Sequence, residues 1–333
     1  MKLHFLHRLS AILLLIALLS LTACGGIKPI EPTEEEIRVV MRADQYDICY
    51  DELRYYTCNL KDQMAVYHHS DIWASAETAT PYLEELKEGV EAMCRYNAAV
   101  LSLCAEFGIT YTEKAIEEGV QADIEALVEE LGGKSAYRKA LEEYHMSDRL
   151  LRYVSAITRC ETELYHVLIS LELLDNSDEA AEAFFASDEL ARTLHIYIAN
   201  DAGDDVEANR AKAESILAEL KGGADFNTLI GRHSEDFYMT TTSGYYFTRG
   251  EMNESYEKAA FALKENEVSG VVATDNGFYI IKRLPKEQSY INKNFETLKS
   301  QYLSAAFYGM IEERRDEITV TVLDESIELW SIN

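Results

Sequence analysis

The residue near the N-terminus with the most distinctive chemistry is Cys24, which follows a short apolar segment. Lys2 and Arg8 make the start of the chain basic, and the apolar segment covers residues 11–21. A membrane-spanning helix needs about 20 apolar residues, so this shorter segment is typical of a signal peptide. Small residues precede Cys24, as a signal peptidase groove requires. A thiol placed directly after that cleavage site can take a diacylglyceryl group before cleavage frees the amine.

The sequence Leu21-Thr22-Ala23-Cys24-Gly25-Gly26 resembles the bacterial lipobox. The resemblance implies a lipoprotein signal peptide over residues 1–23, lipidation of Cys24 and a tether over residues 24–35. Bacterial lipoproteins carry at least two acyl chains, which hold a protein firmly on a membrane, whereas one chain binds marginally. We therefore expect the mature protein to be lipid-anchored at the extracytoplasmic face of the cell membrane. The alternative is an ordinary secretory cleavage site followed by a chance cysteine.

The other cysteines and the paired histidines give no pattern of a metal or redox site. The cysteines are Cys49, Cys58, Cys94, Cys104 and Cys160. Their number is odd, no C-x-x-C spacing occurs, and most lie in partly apolar helical stretches, so we expect buried free thiols. A disulfide between Cys49 and Cys58 is an open alternative. His68 and His69 are adjacent, so on a helix they point about 100° apart and cannot bind one metal ion. We expect neither a metal nor a cofactor.

Length and charge limit the classes of function. About 310 residues remain after cleavage, which is enough for two domains. The formal net charge of −28 argues against a nucleic-acid partner, because no basic stripe is present to neutralise phosphates. A strongly acidic exterior keeps an exported protein soluble.

The N-terminal half of the mature chain is predicted to be helical, because proline is absent between Pro32 and Pro81 and glycine is rare. Amphipathic stretches cover residues 36–66, 82–107, 112–131 and 146–174. Gly132 and Gly133 predict the end of the third helix, since glycines commonly follow a helix C-terminus. Ser147 predicts the N-cap of the fourth.

The hydrophobic pattern changes near residue 190. Leu194, Ile196 and Ile198 alternate with more polar residues, which predicts a β-strand. Two helices, a short strand over residues 245–247 and a helix over residues 254–263 follow. The last two strands, at residues 268–274 and 278–284, are joined by a hairpin turn at residues 275–277. The predicted order is β-α-α-β-α-β-β, a compact α+β unit.

Several short sequences in this unit resemble the parvulin family of peptidyl-prolyl isomerases in their order and spacing. They lie at residues 194–196, 223–226, 233–236, 247–252, 256–263 and 274–282. The resemblance implies a four-stranded antiparallel sheet flanked by helices over residues 189–286. The lipobox, the long helical region, the parvulin unit and a C-terminal helix together resemble the layout of PrsA-type foldase lipoproteins of Gram-positive bacteria.

The parvulin resemblance implies a cup that grips the proline ring of a substrate. Met252 and Tyr256 match the family's proline-gripping methionine and phenylalanine, and Phe247 is a further wall. Thr274 matches a hydroxyl that supports a histidine pair in the family. These four residues are the predicted substrate-binding residues.

The same resemblance implies three catalytic residues, His195, Asp236 and Tyr279. His195 matches the histidine of the first strand, and Asp236 occupies a position that holds cysteine or aspartate in the family. Tyr279 stands where the family has its second histidine, and a phenol cannot form the same tautomer-coupled pair with His195. A second departure is Gly244, which stands where the family has an apolar leucine of the cup.

After Pro285 the spacing of apolar residues is helical again up to Arg314, and a strand-like end follows at residues 318–322. A terminal helix with this much apolar surface needs a partner. The resemblance implies that it packs on the N-terminal helices. The predicted domains are a helical chaperone-like domain (36–188), an inserted parvulin domain (189–286) and the C-terminal helix and strand (287–333). The fold class is therefore α+β.

These features lead to the expectation of an extracytoplasmic foldase that isomerises X–Pro bonds and binds clients. Its partners would be unfolded or newly exported polypeptides containing X–Pro bonds, and the membrane through the lipid. The alternative is a holdase chaperone whose parvulin domain binds peptides but is weakly active or inactive, because of Tyr279 and Gly244. A solute-binding lipoprotein would need a two-lobed α/β architecture, against which the helical N-terminal half argues.

Overall fold

The computed structural model describes residues 27–67, 71–200, 205–239, 243–274 and 276–332. The predicted signal peptide, Cys24, His68 and His69 lie outside these ranges. Within them, no helix is both long and apolar enough to cross a bilayer.

The first part of the described chain contains two strands and seven helices. They are β1 (Val39–Ala43), β2 (Tyr46–Cys49), α1 (Tyr50–Tyr67), α2 (Ala76–Ala79), α3 (Leu83–Glu106), α4 (Lys114–Glu130), α5 (Lys134–Glu143), α6 (Asp148–Ser170) and α7 (Asp178–Ala186). The later elements are β3 (Ala191–Ala199), α8 (Val206–Lys221), α9 (Phe226–His233), β4 (Tyr245–Phe247), α10 (Glu254–Ala262), β5 (Val268–Thr274), β6 (Gly277–Arg283), α11 (Gln288–Lys293), α12 (Phe295–Glu317) and β7 (Val320–Val322).

These elements belong to two compact units. One unit is Leu174–Ala306, which contains the segment that resembles the parvulins. The other combines residues 27–173 with residues 307–332 and is mostly helical. Helix α12 contributes to the first unit up to Ala306 and to the helical unit from Phe307 onward.

The helical unit is built from helices that bury one face each. Val120, Ile124 and Val128 recur at four-residue intervals along α4 and pack with Tyr137 of α5 and Leu151 of α6 in one apolar cluster. This spacing places the three α4 side chains on a single helix face. The amphipathic pattern of this stretch therefore directs it into a shared core.

The predicted helix boundaries in this unit are confirmed where local signals are strong. The Ser147 hydroxyl accepts a hydrogen bond from the Leu150 backbone N–H at 2.9 Å, as an N-cap does. After α4, Gly132 and Gly133 have φ angles of +88° and +118°, a region that favours glycine. The two glycines therefore end α4 as expected.

The prediction of helix over residues 36–49 was wrong, because β1 and β2 form an antiparallel hairpin there. Asp44 lies in the turn with a φ angle of +50°. Strand β1 also pairs with β7, so that Met41 lies opposite Val322. The partner strand is about 280 residues away in sequence, and this pairing overrides the local helical pattern.

The five cysteines of the described ranges are free thiols, four of them buried in the helical unit, so no disulfide joins Cys49 to Cys58. Cys104 of α3 and Cys160 of α6 lie close together, since the Cys104 thiol donates to the Cys160 carbonyl oxygen at 3.4 Å. These thiols occupy core positions, as expected for small apolar side chains.

The other unit contains the predicted four-stranded antiparallel sheet, with strand order β4-β3-β6-β5. On one face of β3, Leu194, Ile196 and Ile198 pack with residues of α8 and α9 in an apolar core. The opposite face carries Thr193, His195 and Tyr197. The order of elements and the α+β fold class are as predicted, and the sheet has one mainly apolar face and one face with polar side chains.

Three further elements pack within the same unit. Phe185 of α7, Ile291 of α11 and Leu298 of α12 are buried in a cluster with Tyr246 of β4. The Tyr246 hydroxyl accepts a hydrogen bond from the Glu287 backbone N–H at 2.8 Å. This packing supports β4 from outside the sheet.

Candidate active site

The polar face of β3 positions the first candidate residues. Because side chains alternate along a strand, Thr193 and His195 point to the same side of the sheet, away from Leu194 and Ile196. In the antiparallel register His195 lies opposite Ile281, and Tyr197 lies opposite Tyr279 of β6. His195 is nevertheless only 3% exposed, so it lies beneath the surface of the site.

The segment that follows α9 brings a carboxylate to this face. The Glu235 backbone N–H donates to the Tyr197 carbonyl oxygen at 2.8 Å, and the Tyr197 N–H donates to the Ser234 hydroxyl at 3.1 Å. These bonds fix the segment against β3. Asp236 then reaches His195, and its Oδ2 atom lies 3.0 Å from Nε2 of the imidazole ring.

A chain of hydrogen bonds continues from His195 into the interior. Its Nδ1 atom lies 3.0 Å from the Tyr256 hydroxyl, which lies 2.8 Å from the Thr193 hydroxyl. An ionised Asp236 can only accept, so Nε2 carries a proton. In the neutral tautomer, Nδ1 accepts from Tyr256, whose oxygen accepts from Thr193. The chain therefore fixes the orientation of the ring and the tautomer.

Asp236 is held in its ionised form. The hydrogen bond from His195 is the main cause that lowers its pKa to about 2, and the Tyr238 N–H and the Tyr245 hydroxyl add to the effect. The Tyr245 hydroxyl donates to Oδ2 at 3.0 Å, and the Tyr245 ring stacks on His195 with centroids 5.6 Å apart. Burial, followed by the nearby Asp236, raises the pKa of Tyr245 to about 12. The site therefore presents a fixed negative charge and a neutral phenol.

Tyr279 lies against the histidine ring but outside the hydrogen-bond chain. Its ring meets that of His195 edge-on at 5.1 Å and stacks on Tyr197 at 4.5 Å. The Tyr279 hydroxyl lies 3.5 Å from the Asn276 side-chain nitrogen. Burial raises the pKa of Tyr279, so the phenol stays neutral near pH 7. Of the three predicted catalytic residues, the structure thus joins His195 and Asp236 directly and places Tyr279 beside them as an aromatic wall.

The predicted cup residues form a layered apolar surface. Phe247 and Tyr256 are buried together with Ile281, and Met252 packs on this cluster from a half-buried position. The Glu257 carboxylate accepts from the Met252 backbone N–H at 2.8 Å, which fixes the loop between β4 and α10. Met252 is therefore the predicted cup residue with surface available to a ligand, while Phe247 and Tyr256 lie beneath it.

Gly244, which stands where the parvulin family has a leucine, is required by the backbone at this position. Its φ angle is +70°, and a Cβ atom there would lie 2.5 Å from the Thr193 carbonyl oxygen. A leucine cannot occupy this position with the present backbone. The next residue, Tyr245, supplies the aromatic side chain at this edge of the site. The side chain that borders His195 at this edge is therefore that of Tyr245.

Thr274 is the last residue of β5, next to the turn that leads into β6. Its hydroxyl is 2.6 Å from the Asn276 side-chain oxygen and 2.9 Å from the Gly277 carbonyl oxygen. The hydroxyl that enters the chain to His195 belongs to Thr193. The interpretation that Thr274 supports the histidine was wrong, because the hairpin turn uses its hydroxyl.

Two residues of the network were not predicted from the sequence, namely Thr193 and Tyr245. For Thr193 a signal existed, because it lies two residues before His195 in an alternating strand and therefore shares its face. For Tyr245 the sequence gave a strand but not the partner of the hydroxyl. Among the residues that the structure describes, no cluster of three or more histidine, cysteine or acidic side chains could hold a metal ion.

The sequence of this chain is similar to several known proteins. Residues 149–287 match the model of the PPIC-type PPIase domain. The foldase protein PrsA of Caldanaerobacter subterraneus is 27% identical over 263 residues, which is 78% of this chain and 77% of that protein. The foldase protein PrsA of Staphylococcus aureus is 28% identical over 182 residues, or 52% of this chain and 53% of that protein. The second match therefore spans about half of each protein.

Solved structures of proteins that are also named PrsA have lower sequence identity to this chain. A peptidylprolyl isomerase (PrsA) from Bacillus anthracis has 14% identity and a TM-score of 0.36, over 66% of this chain and 94% of that one. PrsA from Bacillus subtilis has 18% identity and a TM-score of 0.27, over 89% of this chain and 98% of that one. By sequence, residues 149–287 are therefore similar to PPIC-type PPIase domains, and a longer part of the chain is similar to foldase proteins named PrsA.

Proposed function

We propose that this protein is an extracytoplasmic, lipid-anchored foldase that isomerises X–Pro bonds in newly exported polypeptides and also binds those clients. The observation that carries the isomerase part is the chain from Thr193 through Tyr256 and His195 to the ionised Asp236. It lies next to the apolar surface of Met252 and Tyr279. A site of this kind combines an apolar grip with fixed polar groups.

The chemistry asks for no covalent step. Amide resonance sets a rotation barrier of about 18–20 kcal/mol, and uncatalysed exchange of an X–Pro bond is slow enough to limit folding. The planar amide is the more polar form, because resonance places negative charge on oxygen and positive charge on nitrogen. Apolar surroundings disfavour this charge separation, and the negative charge of Asp236 disfavours negative charge on the amide oxygen. Both effects favour the twisted amide over the planar one. Preference for the twisted form over the planar form is what lowers the barrier.

The test of this activity is NMR exchange spectroscopy on a prolyl peptide. We expect the wild-type chain to speed cis/trans exchange above the uncatalysed rate, and Met252→Ala to lower kcat/KM by about tenfold through loss of apolar contact with the proline ring. Glu214→Ala, an exposed change on α8, is the control. An unchanged exchange rate with wild-type protein would exclude the isomerase activity.

A second candidate function is a holdase, in which the same unit binds peptides without speeding exchange. The position of Tyr279 favours it, because its hydroxyl lies near Asn276 and not in the chain to His195. Binding of a prolyl peptide by wild-type protein in an NMR titration, without faster exchange, would select this function.

The lipid anchor is supported by the sequence around Cys24, which lies outside the described residues. We expect metabolic labelling with an alkyne fatty acid in a bacterial host to tag the wild-type chain, and Cys24→Ser to lose both the label and the membrane fraction. Two or more acyl chains hold a protein firmly at a membrane, so the change in partition is expected to be nearly complete. Cys49→Ser should keep the label. Labelling of the Cys24→Ser variant would contradict the anchor site.

A further inference from the structure

Two adjacent aromatic side chains beside the active site are almost fully exposed. Phe237 is 95% exposed and Tyr238 is 85% exposed, whereas the next most exposed large apolar residues of the described ranges are at 54%. Single exposed apolar residues are common on protein surfaces, but two adjacent aromatic rings standing free in water are not. We call this pair the aromatic lip.

The aromatic lip is attached directly to the catalytic network. The Tyr238 backbone N–H donates to Oδ1 of Asp236 at 2.9 Å, while Oδ2 of the same carboxylate receives His195 and Tyr245. One carboxylate thus connects the active-site histidine and the backbone of the lip. Consecutive Cα atoms are about 3.8 Å apart, so the backbone of both lip residues lies within about 8 Å of the Cα atom of Asp236.

The segment that carries the lip is fixed at both ends. On one side, the Glu235 N–H is bonded to the Tyr197 carbonyl oxygen of β3. On the other side, Met239 is buried in the apolar core and its N–H donates to the Asp236 carbonyl oxygen at 3.3 Å. Since residues before and after it are anchored, the turn directs Phe237 and Tyr238 outward at a defined place next to the site.

We propose that the aromatic lip contacts apolar side chains next to the proline of a bound polypeptide, so that the site prefers X–Pro bonds with apolar neighbours. The proposal rests on the isomerase site binding polypeptides. An unfolded chain exposes apolar residues that folding later buries, and these are the side chains available to the lip.

Charge and chemistry both favour an apolar occupant over an acidic one. Asp236, the residue directly before the lip, is ionised, whereas the neighbouring Glu235 is paired with Lys212 at 2.7 Å. Acidic neighbours of the proline would meet like charge here. Aromatic rings lose little conformational freedom on binding and accept many apolar partners, which suits a site that must take different clients.

The test compares two neutral peptides that are identical except for the residues on either side of proline, Leu-Pro-Leu and Gln-Pro-Gln. Dissociation constants come from NMR titration and kcat/KM from exchange spectroscopy, each for wild type and for the double variant Phe237→Ser/Tyr238→Ser. The matched control is Val206→Ser, an exposed apolar residue at the start of α8 in the same unit. The backbone N–H of residue 238 remains in every variant.

We expect wild type to bind the leucine peptide about tenfold more tightly than the glutamine peptide, as typical apolar contacts of this size allow. In the double variant the ratio of the two dissociation constants should fall close to one. Its dissociation constant and kcat/KM for the glutamine peptide should stay within about twofold of wild type. The Val206→Ser control should keep the full ratio.

A double variant with the wild-type ratio would overturn the proposal, as would a wild type without preference or without binding of either peptide. If wild type prefers the leucine peptide in binding and the double variant does not, but cis/trans exchange is not faster, the role of the lip is supported. Only the isomerase activity is then contradicted. The two hypotheses can therefore fail separately.

Discussion

Replacing Asp236 by alanine is expected to lower kcat/KM for prolyl isomerisation by about a hundredfold, the size typical for loss of a positioned catalytic group. The carboxylate accepts from His195 Nε2 at 3.0 Å, from the Tyr245 hydroxyl at 3.0 Å and from the Tyr238 N–H at 2.9 Å. Alanine removes the charge and releases all three donors. The measurement is NMR exchange spectroscopy over a series of prolyl peptide concentrations that rises to saturation.

Asp236→Asn separates charge from geometry. The amide oxygen can still accept from His195, but the negative charge is lost, so we expect a smaller decrease of about tenfold. Because His195 and Asp236 act in one network, the double variant His195→Ala/Asp236→Ala should be little worse than either single variant.

The control for these variants is Glu214→Ala, which removes an exposed carboxylate of α8 in the same unit. Folding is checked from the amide spectrum. A folded Asp236→Ala protein with kcat/KM within twofold of wild type would remove Asp236 from the mechanism.

The helical unit is expected to lose stability as pH rises from about 4.5 to about 7, because of a buried carboxyl group. Glu52 of α1 is 2% exposed, and burial is the main cause that raises its pKa to about 7. Its Oε1 accepts from the Tyr56 hydroxyl at 3.1 Å, and that hydroxyl accepts from the Asn97 side chain at 2.6 Å. These two bonds do not offset the cost of placing a charge there.

The sign of the effect follows from proton binding. Between the ordinary pKa of 4.5 and the folded value of about 7, the folded state holds a proton that the unfolded state has released. The stability that this proton provides is therefore complete below pH 4.5 and is lost as pH rises through 7. A shift of this size corresponds to about 3 kcal/mol between the two ends. Burial also raises the pKa of Glu161 of α6 to about 7, which adds to the same trend.

The measurement is urea unfolding at pH 4.5 and pH 8 followed by tryptophan fluorescence. Trp73 and Trp330 are the two tryptophans of the chain, and both belong to the helical unit, so the signal reports on that unit. Glu52→Gln should raise the free energy of unfolding at pH 8 and leave it nearly unchanged at pH 4.5. Glu163→Gln, an exposed change on α6, should not alter the pH dependence. Equal stability of wild type and Glu52→Gln at pH 8 would contradict the buried-charge explanation.

The sequence alone determined those features that depend on neighbours along the chain. The 3.6-residue spacing of apolar side chains identified α3, α4 and α6, and glycine pairs or a capping serine located helix ends near Gly132 and Ser147. Alternation along β3 placed His195 on the face opposite Leu194. The short sequences that resemble parvulins predicted the α+β unit, in which the structure places His195 in contact with Asp236 and Tyr256.

Tertiary structure decided what depends on partners distant in sequence. Whether residues 39–49 form helix or hairpin was settled by pairing with β7, which lies at the other end of the chain. Which hydroxyl reaches the Tyr256–His195 chain, that of Thr193 or of Thr274, depended on where the β5–β6 turn places its own acceptors. The backbone at Gly244, pressed against the Thr193 carbonyl, decided that an aromatic residue at 245 and not a leucine at 244 borders the site. Hydrogen bonds and strand pairing are short-range in space but not in sequence, so only the folded chain fixes these partners.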